Sequence, residues 1–235
     1  MKELKARLNN GNIKLGNMGT FSKLMGNDEY KTPFGSVNGS CGHYCDGCKK
    51  SCYVKKSYRY PSVIMSHARN TLAIRNDIDK AFSDIDKQIS NKKVPFDTIR
   101  IHQSGEIETA IELFKWVRLS QKHKDIIFYT YTKNFNALKV LVNSIENGTI
   151  DAPKNLIINI SVWHEYGIKE YNDFKKYDFI KAFVYMDGFD YNAYGLKVET
   201  VCTAYINGKL NHAITCDKCK KCFNSHYKII GCHEH

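Results

Sequence analysis

The sequence predicts an α/β protein, a partial or small (β/α) barrel of parallel strands with a cysteine-rich C-terminal extension. Short runs of β-branched and aromatic residues alternate with segments of helical apolar spacing from Pro61 to Ala204, the signature of βαβ units and a parallel sheet. Five or six such units suffice for a partial or small barrel, with a doubly wound open sheet as the alternative. The third observation is the placement of nine cysteines, most of them in two groups near the ends of the chain. The barrel is expected over residues 1–204 and the extension over 205–235.

Residues 1–40 are rich in Gly and Asn around short apolar islands, Ile13-Lys14-Leu15 and Thr20-Phe21. Such composition favours turns and short strands, so a first strand and a loop lead into the cysteines. After Pro61, which suits a first helical turn, Val63, Ile64, Leu72, Ile74, Ile78, Phe82, Ile85 and Ile89 recur at helical intervals up to Asn91. Strands follow at 98–102, 126–132, 156–162 and 179–186, with helices at 111–119, 135–145 and 168–174, and a last strand at 196–204.

Polar residues interrupt strands that ought to be apolar on both faces. Arg100, His102 and Ser104 alternate onto one face of the second strand, and Asn159 and Ser161 do so on a later one. In parallel α/β folds ligands sit at the carboxyl ends of the strands. There His102, Ser104, Glu106, Thr130, Thr132, His164 and Asp187 would gather, either as a site or as hydrogen-bonded strand-end groups.

Cys41, Cys45, Cys48 and Cys52 fall within twelve residues. Thiolates so close along one chain converge without the cost of closing a long loop. Zinc sites usually pair two separate hooks, whereas iron–sulfur clusters are commonly wrapped by one continuous run. The loop is therefore expected to hold a [4Fe–4S] cluster. Cys216, Cys219 and Cys222, followed by Cys232, point to a second cluster, with zinc as the alternative if His226, His233 or His235 joins a cysteine pair. Cys202, alone on a predicted strand, is most simply a small buried hydrophobe.

The opening residues Met1 to Arg7 form no apolar signal segment, and no apolar run reaches membrane-spanning length. A disulfide scaffold suits small secreted chains, so a cytoplasmic protein with reduced thiols is expected. The net charge of +11 counts cysteines as neutral; two clusters, each contributing about two negative charges, would leave roughly +7. A basic surface admits nucleic acid or an anionic small-molecule cofactor as partner. The stretch Tyr53, Lys55, Lys56, Tyr58, Arg59 and Tyr60 offers stacking and phosphate pairing for a nucleic-acid-binding protein. A simple electron carrier is the third class, and oligomeric state is not legible.

The motif Cys41-x3-Cys45-x2-Cys48 after a first strand resembles the signature of radical S-adenosylmethionine enzymes. That resemblance implies three cysteines holding a [4Fe–4S] cluster whose fourth iron binds the amino-acid end of S-adenosylmethionine. Ser104-Gly105-Glu106 is similar to that family's Gly-Gly-Glu element, which would set Ser104, Gly105 and Glu106 at the cofactor and Glu106 near its amino group. His102 and Arg100 would then position cofactor or substrate. In this chain Gly47 stands before the third cysteine, where that family carries a bulky apolar residue, and Cys52 adds a further thiol.

A second resemblance spans more of the chain. Leu15-Gly16, Thr20-Phe21-Ser22, Cys52-Tyr53, Arg69-Asn70, Arg100-Ile101-His102-x-Ser104-Gly105 and the terminal C-x2-C-x2-C resemble the phage gene product 88 family. It implies an emphasis on Cys41, Cys48 and Cys52, with Cys45 dispensable, the opposite of the first assignment.

Overall fold

The computed structural model describes residues 4–91, 96–206, 209–224 and 226–233. The Gly- and Asn-rich opening yields only short strands. β1 (Asn9–Asn10) pairs antiparallel with β2 (Gly19–Phe21), and β3 (Glu29–Thr32) forms a separate hairpin with β4 (Gly35–Asn38). The cysteine loop carries α1 (Asp46–Lys50) and runs into a 3₁₀ stretch, Tyr53–Arg59.

The segment expected as one helix from Pro61 to Asn91 is two: α2 (Pro61–Asn76) and α3 (Ile78–Ser90). Asp77 divides them with extended backbone, and its side chain accepts a hydrogen bond from the Lys80 amide. Asp is a strong N-cap residue, a signal that continuous apolar spacing hides. Then come β5 (Thr98–Ile101), α4 (Ala110–Lys122), β6 (Ile127–Thr132), α5 (Phe135–Glu146), β7 (Leu156–Trp163), α6 (Ile168–Phe174) and β8 (Ile180–Tyr185). These agree with the sequence reading to within a few residues at each end. The strand expected at 196–204 shrinks to β9 (Thr200–Val201); β10 (Tyr205–Ile206) and β11 (Lys209–Leu210) make a small hairpin. The chain closes with α7 (Cys216–Cys219) and β12 (Ile229–Cys232).

The main sheet has the order β1-β2-β5-β6-β7-β8-β12-β9, parallel throughout except for β1. The stretch 205–235, expected as an extension, thus contributes a strand to this sheet, between β8 and β9. β1 and β9 are its two ends, so the sheet is a mixed, mostly parallel one without a closed barrel among the described residues.

Alternation along the strands separates two surfaces. On β7, Leu156, Ile158, Ile160 and Val162 join Ile99 and Ile101 of β5 and Ile180, Ala182 and Val184 of β8 in one buried cluster with the apolar faces of α2 to α6. The intervening residues look the other way: Arg100, Tyr129, Tyr131, Asn159, Lys181 and Phe183 are linked through register pairs Arg100↔Tyr129, Tyr131↔Asn159, Asn159↔Lys181 and Ser161↔Phe183. These helices cover one face only, unlike the doubly wound alternative. The opposite face is closed at one end by a small apolar cluster of Leu15, Met18, Tyr129, Ile157 and Phe223, and the cysteine segments lie over the rest.

Candidate functional site

Both cysteine groups face one cavity of about 190 Å³ on this second surface. Cys41, Cys48 and Cys52 border it from the N-terminal loop, and Cys202, Cys216, Cys222 and Cys232 from the C-terminal third. Arg100, His102, Ser104, Gly105 and Glu106 line it as well, so all the candidate catalytic and cofactor residues share it. Cys45 and Cys219 do not border it: Cys45 is the N-cap of α1, and Cys219 lines a smaller adjoining cavity.

The first cysteine loop is held by the loop after β2. The amides of Ser40 and Cys41 donate to the carbonyls of Leu24 and Gly26, at 2.9 and 2.7 Å. Cys52 lies 3.8 Å from the Met25 sulfur and receives the Val54 and Lys55 amides. Burial pushes the Cys41 thiol up to about 12, and Cys41 is within electrostatic reach of Cys48 and Cys52. Gly47 has a packing reason: the Trp163 ring lies so close that an added Cβ would come within 2.8 Å of it. An aromatic from β7 thus occupies the space beside the residue that precedes Cys48.

Strand β5 ends in a tight bend. His102 has φ of 53° and Gly105 of 82°, both in the left-handed region, where a non-glycine such as His102 is uncommon. A Cβ on Gly105 would meet Ser40 Oγ at 2.5 Å, so the glycine lets the bend close on the cysteine loop. The bend delivers Glu106, 7% exposed, whose Oε1 accepts from the Ile107 amide at 2.8 Å and Thr132 Oγ1 at 2.9 Å while Oε2 accepts from the Lys133 amide at 2.9 Å. Thr132, expected at the rim, therefore orients Glu106. His164 is exposed and binds the Asp187 carbonyl, outside the cavity lining.

Behind His102 lies a charge network absent from the sequence reading. His102 Nε2 donates to Glu112 Oε1 at 2.8 Å, and Lys23 Nζ donates to Glu112 Oε2 at 2.7 Å and to Glu108 at 2.9 Å. Lys23 and Glu112 are fully buried. Burial alone would raise the Glu112 carboxyl, yet Lys23 and His102 hold it down at about 2. Burial lowers His102 against the pull of Glu112, so the ring is neutral and its Nδ1 is a buried acceptor without a partner. Neither Lys23 nor Glu112 belongs to a motif, and only the fold brings them together.

The cavity is short of negative charge. Arg100 donates to Tyr53 Oη at 3.2 Å and lies over the Tyr131 ring at 4.8 Å, but has no carboxylate in salt-bridge range among the described residues, and its Nε is unpaired. Cys216 and Cys222 are within its electrostatic reach. Lys133 adds a cation beside Cys48; burial works against its charge, which Cys48 and Glu106 favour strongly enough to raise its pKa. Lys181, buried on β8 and held below its usual range at about 8 by burial, has the Lys221 carbonyl at 3.5 Å and Cys222 nearby. Buried cations without a carboxylate partner, as Arg100 and Lys181 are among the described residues, are costly, and thiolates bound to metal would offset them.

All nine cysteines are free thiols, and among the described residues no three His, Cys, Asp or Glu side chains are yet grouped tightly enough to hold an ion. Loading a centre calls for the thiols to turn toward one another. The donor set fits a thiophilic centre, and the surrounding cations fit an anionic one. Of the histidines considered for zinc, His226 is exposed, His233 pairs with Asp187 at 2.5 Å, and His235 lies outside the described residues. In the basic aromatic stretch, Tyr53 turns inward to Gln103 and Arg100, and the Tyr58 hydroxyl accepts from the Met25 amide at 2.9 Å. Tyr60 is left as the exposed ring of the three.

Fold and cavity define a class: an α/β protein with a mostly parallel sheet, helices packed on one face, and thiols from both ends of the chain gathered over the other. The Gene product 88 family model matches residues 3–225, and the chain belongs to this family of phage gene products. No curated protein and no solved structure matches it. No described helix is long and apolar enough to cross a membrane.

Proposed function

We propose that the chain is an iron–sulfur protein with two centres at one cavity, the first of the radical S-adenosylmethionine type. One observation carries the reading: thiols from the two ends of the sequence border the same cavity, beside a buried Arg100 that has no carboxylate partner among the described residues. Cys41, Cys48 and Cys52 would hold the first cluster, leaving one iron without a protein ligand. Cys216, Cys219, Cys222 and Cys232 are the sequence's candidates for the second. When bound, a [4Fe–4S] cluster supplies one-electron chemistry at the cavity wall.

The chain's own residues then have distinct tasks. Glu106 is oriented by three donors, and its Oε2, which accepts one bond, keeps a lone pair for a cationic amino group. His102 Nδ1 accepts from a ligand N–H or O–H, while Arg100 Nε donates. Lys23 and Glu112 keep His102 in the Nε2–H tautomer. Raised thiol pKa values mean that metal binding must displace protons, so loading should weaken in acid.

Anaerobic reconstitution with iron and sulfide tests this. The expected product is brown and carries about eight irons per chain, and with a strong reductant it cleaves added S-adenosylmethionine. Iron without cleavage would leave an electron carrier; zinc alone, or no metal, would defeat the iron–sulfur reading.

A further inference from the structure

We infer that Cys202 is a ligand of the C-terminal metal centre, completing a four-thiol site with Cys216, Cys219 and Cys222, and that Cys232 stands outside it. This rests on the reading of the cysteines as metal ligands and changes which of them serve.

Cys202, Cys216, Cys219 and Cys222 border one small cavity of about 20 Å³. Cys232 does not; it is buried on β12 and faces the larger cavity. The smaller cavity therefore takes in the whole C-x2-C-x2-C triplet plus one further thiol. Spacing hides Cys202, because it stands well ahead of the triplet and alone.

Separate supports hold the two sides. Cys202 follows β9, and its amide donates to the Gly231 carbonyl at 2.7 Å, so the pairing of β9 with β12 places it. The next residue, Thr203, brings its hydroxyl to 4.0 Å from the Cys219 sulfur. Across the cavity, the Cys216 amide donates to the Lys14 carbonyl at 2.9 Å, and Asn159 Nδ2 donates to the Cys222 carbonyl at 3.1 Å. Backbone anchors thus place the four residues around one cavity, and side-chain rotation is left to bring their sulfurs together.

Charge is the independent observation. Four thiolates around zinc or a cubane give a net negative centre. Arg100 and Lys181 sit beside Cys216 and Cys222, both at least nine-tenths buried and with no carboxylate in salt-bridge range among the described residues. Cys202 lies within electrostatic reach of Cys216 and Cys222 and shares their neighbour Lys14. Cys232 is also within reach of Cys202, Cys222 and Lys14, so the charge supports an anionic centre here and the lining of the smaller cavity decides which thiol completes it. An S4 donor set of this kind takes iron–sulfur or zinc.

The test compares Cys202→Ser with Cys232→Ser in the full chain, reconstituted anaerobically and assayed for iron, sulfide and zinc. Cys202→Ser should lose about half the bound iron while the spectrum of the first cluster persists; Cys232→Ser should keep full loading. Full loading of Cys202→Ser, or loss of the centre in Cys232→Ser, overturns the inference. Should Cys202→Ser fail to fold, iodoacetamide mapping of the wild type decides: Cys202 should be alkylated only after the metal is stripped, and equal alkylation before and after stripping overturns the assignment. Wild type that binds no metal defeats the underlying reading instead.

Discussion

Cys45 and Cys52 separate the two resemblances read from the sequence. Spacing alone could not choose between them, because a C-x3-C-x2-C triplet and a set of Cys41, Cys48 and Cys52 use the same loop. The fold places Cys41, Cys48 and Cys52 on the cavity and Cys45 at the start of α1. Cys52→Ala is therefore expected to remove the first centre, and Cys45→Ala to retain most of its iron; the opposite pattern in iron analysis would restore the triplet. Glu112 offers a second test at this scale. Its carboxyl, held down at about 2 against an ordinary value of 4.5, contributes stability that is present above pH 4.5 and lost as pH falls toward 2. Neutral His102, lowered by burial, acts in the same direction below its ordinary 6.5. Urea midpoints should thus fall on acidification. Glu112→Gln, which removes one partner of a buried pair while Lys23 keeps Glu108, should cost about 3 kcal/mol at neutral pH and flatten that acid slope. A loss under about 0.5 kcal/mol, the size of a surface change, would mean the network carries no stability.

Helices and strands with strong periodicity were legible, since α5 and β7 each present one unbroken apolar stripe to the same cluster and α4 presents one interrupted only by Glu112 and Ser120. What escaped was local: Asp77 interrupts a stripe without interrupting its spacing, and β12 is too short and too close to cysteines to read as a strand. Two caps differ in what they hold. Asp77 accepts one amide bond at an exposed site, so Asp77→Ala should cost about 1 kcal/mol. Asn134 caps α5 by accepting from the Ala137 amide and also donates to the Ile107 and Glu108 carbonyls, all in a buried setting. Asn134→Ala leaves those carbonyls short of a donor and should cost about 2–3 kcal/mol. It should also loosen the segment that carries Glu106. Denaturation midpoints that rank the two variants the other way would show that α5 is held by packing rather than by this cap.

At the scale of the whole molecule, the sequence hid its most consequential contact because it joins the two ends of the chain. Residues 12–17 look like a plain loop until Lys14 and Leu15 accept the amides of Cys216 and Asp217, and Asp217 in turn accepts the Asn17 amide. The C-terminal cysteine segment therefore lies between the N-terminal loop and the sheet, with Phe223 against Tyr129 as its buried ring and few other apolar anchors among its described side chains. A segment with so little apolar burial opens locally at small cost, whereas a metal bound only by the closed form adds its binding free energy to closure. Stripping metal should consequently speed amide exchange across residues 209–224 by more than tenfold, a change of about 1.4 kcal/mol, while β7 and α4, deep in the main cluster, exchange as before. Exchange in 209–224 that is the same with and without metal would show that the segment is held by protein contacts alone and that the second centre has no part in folding this end of the chain.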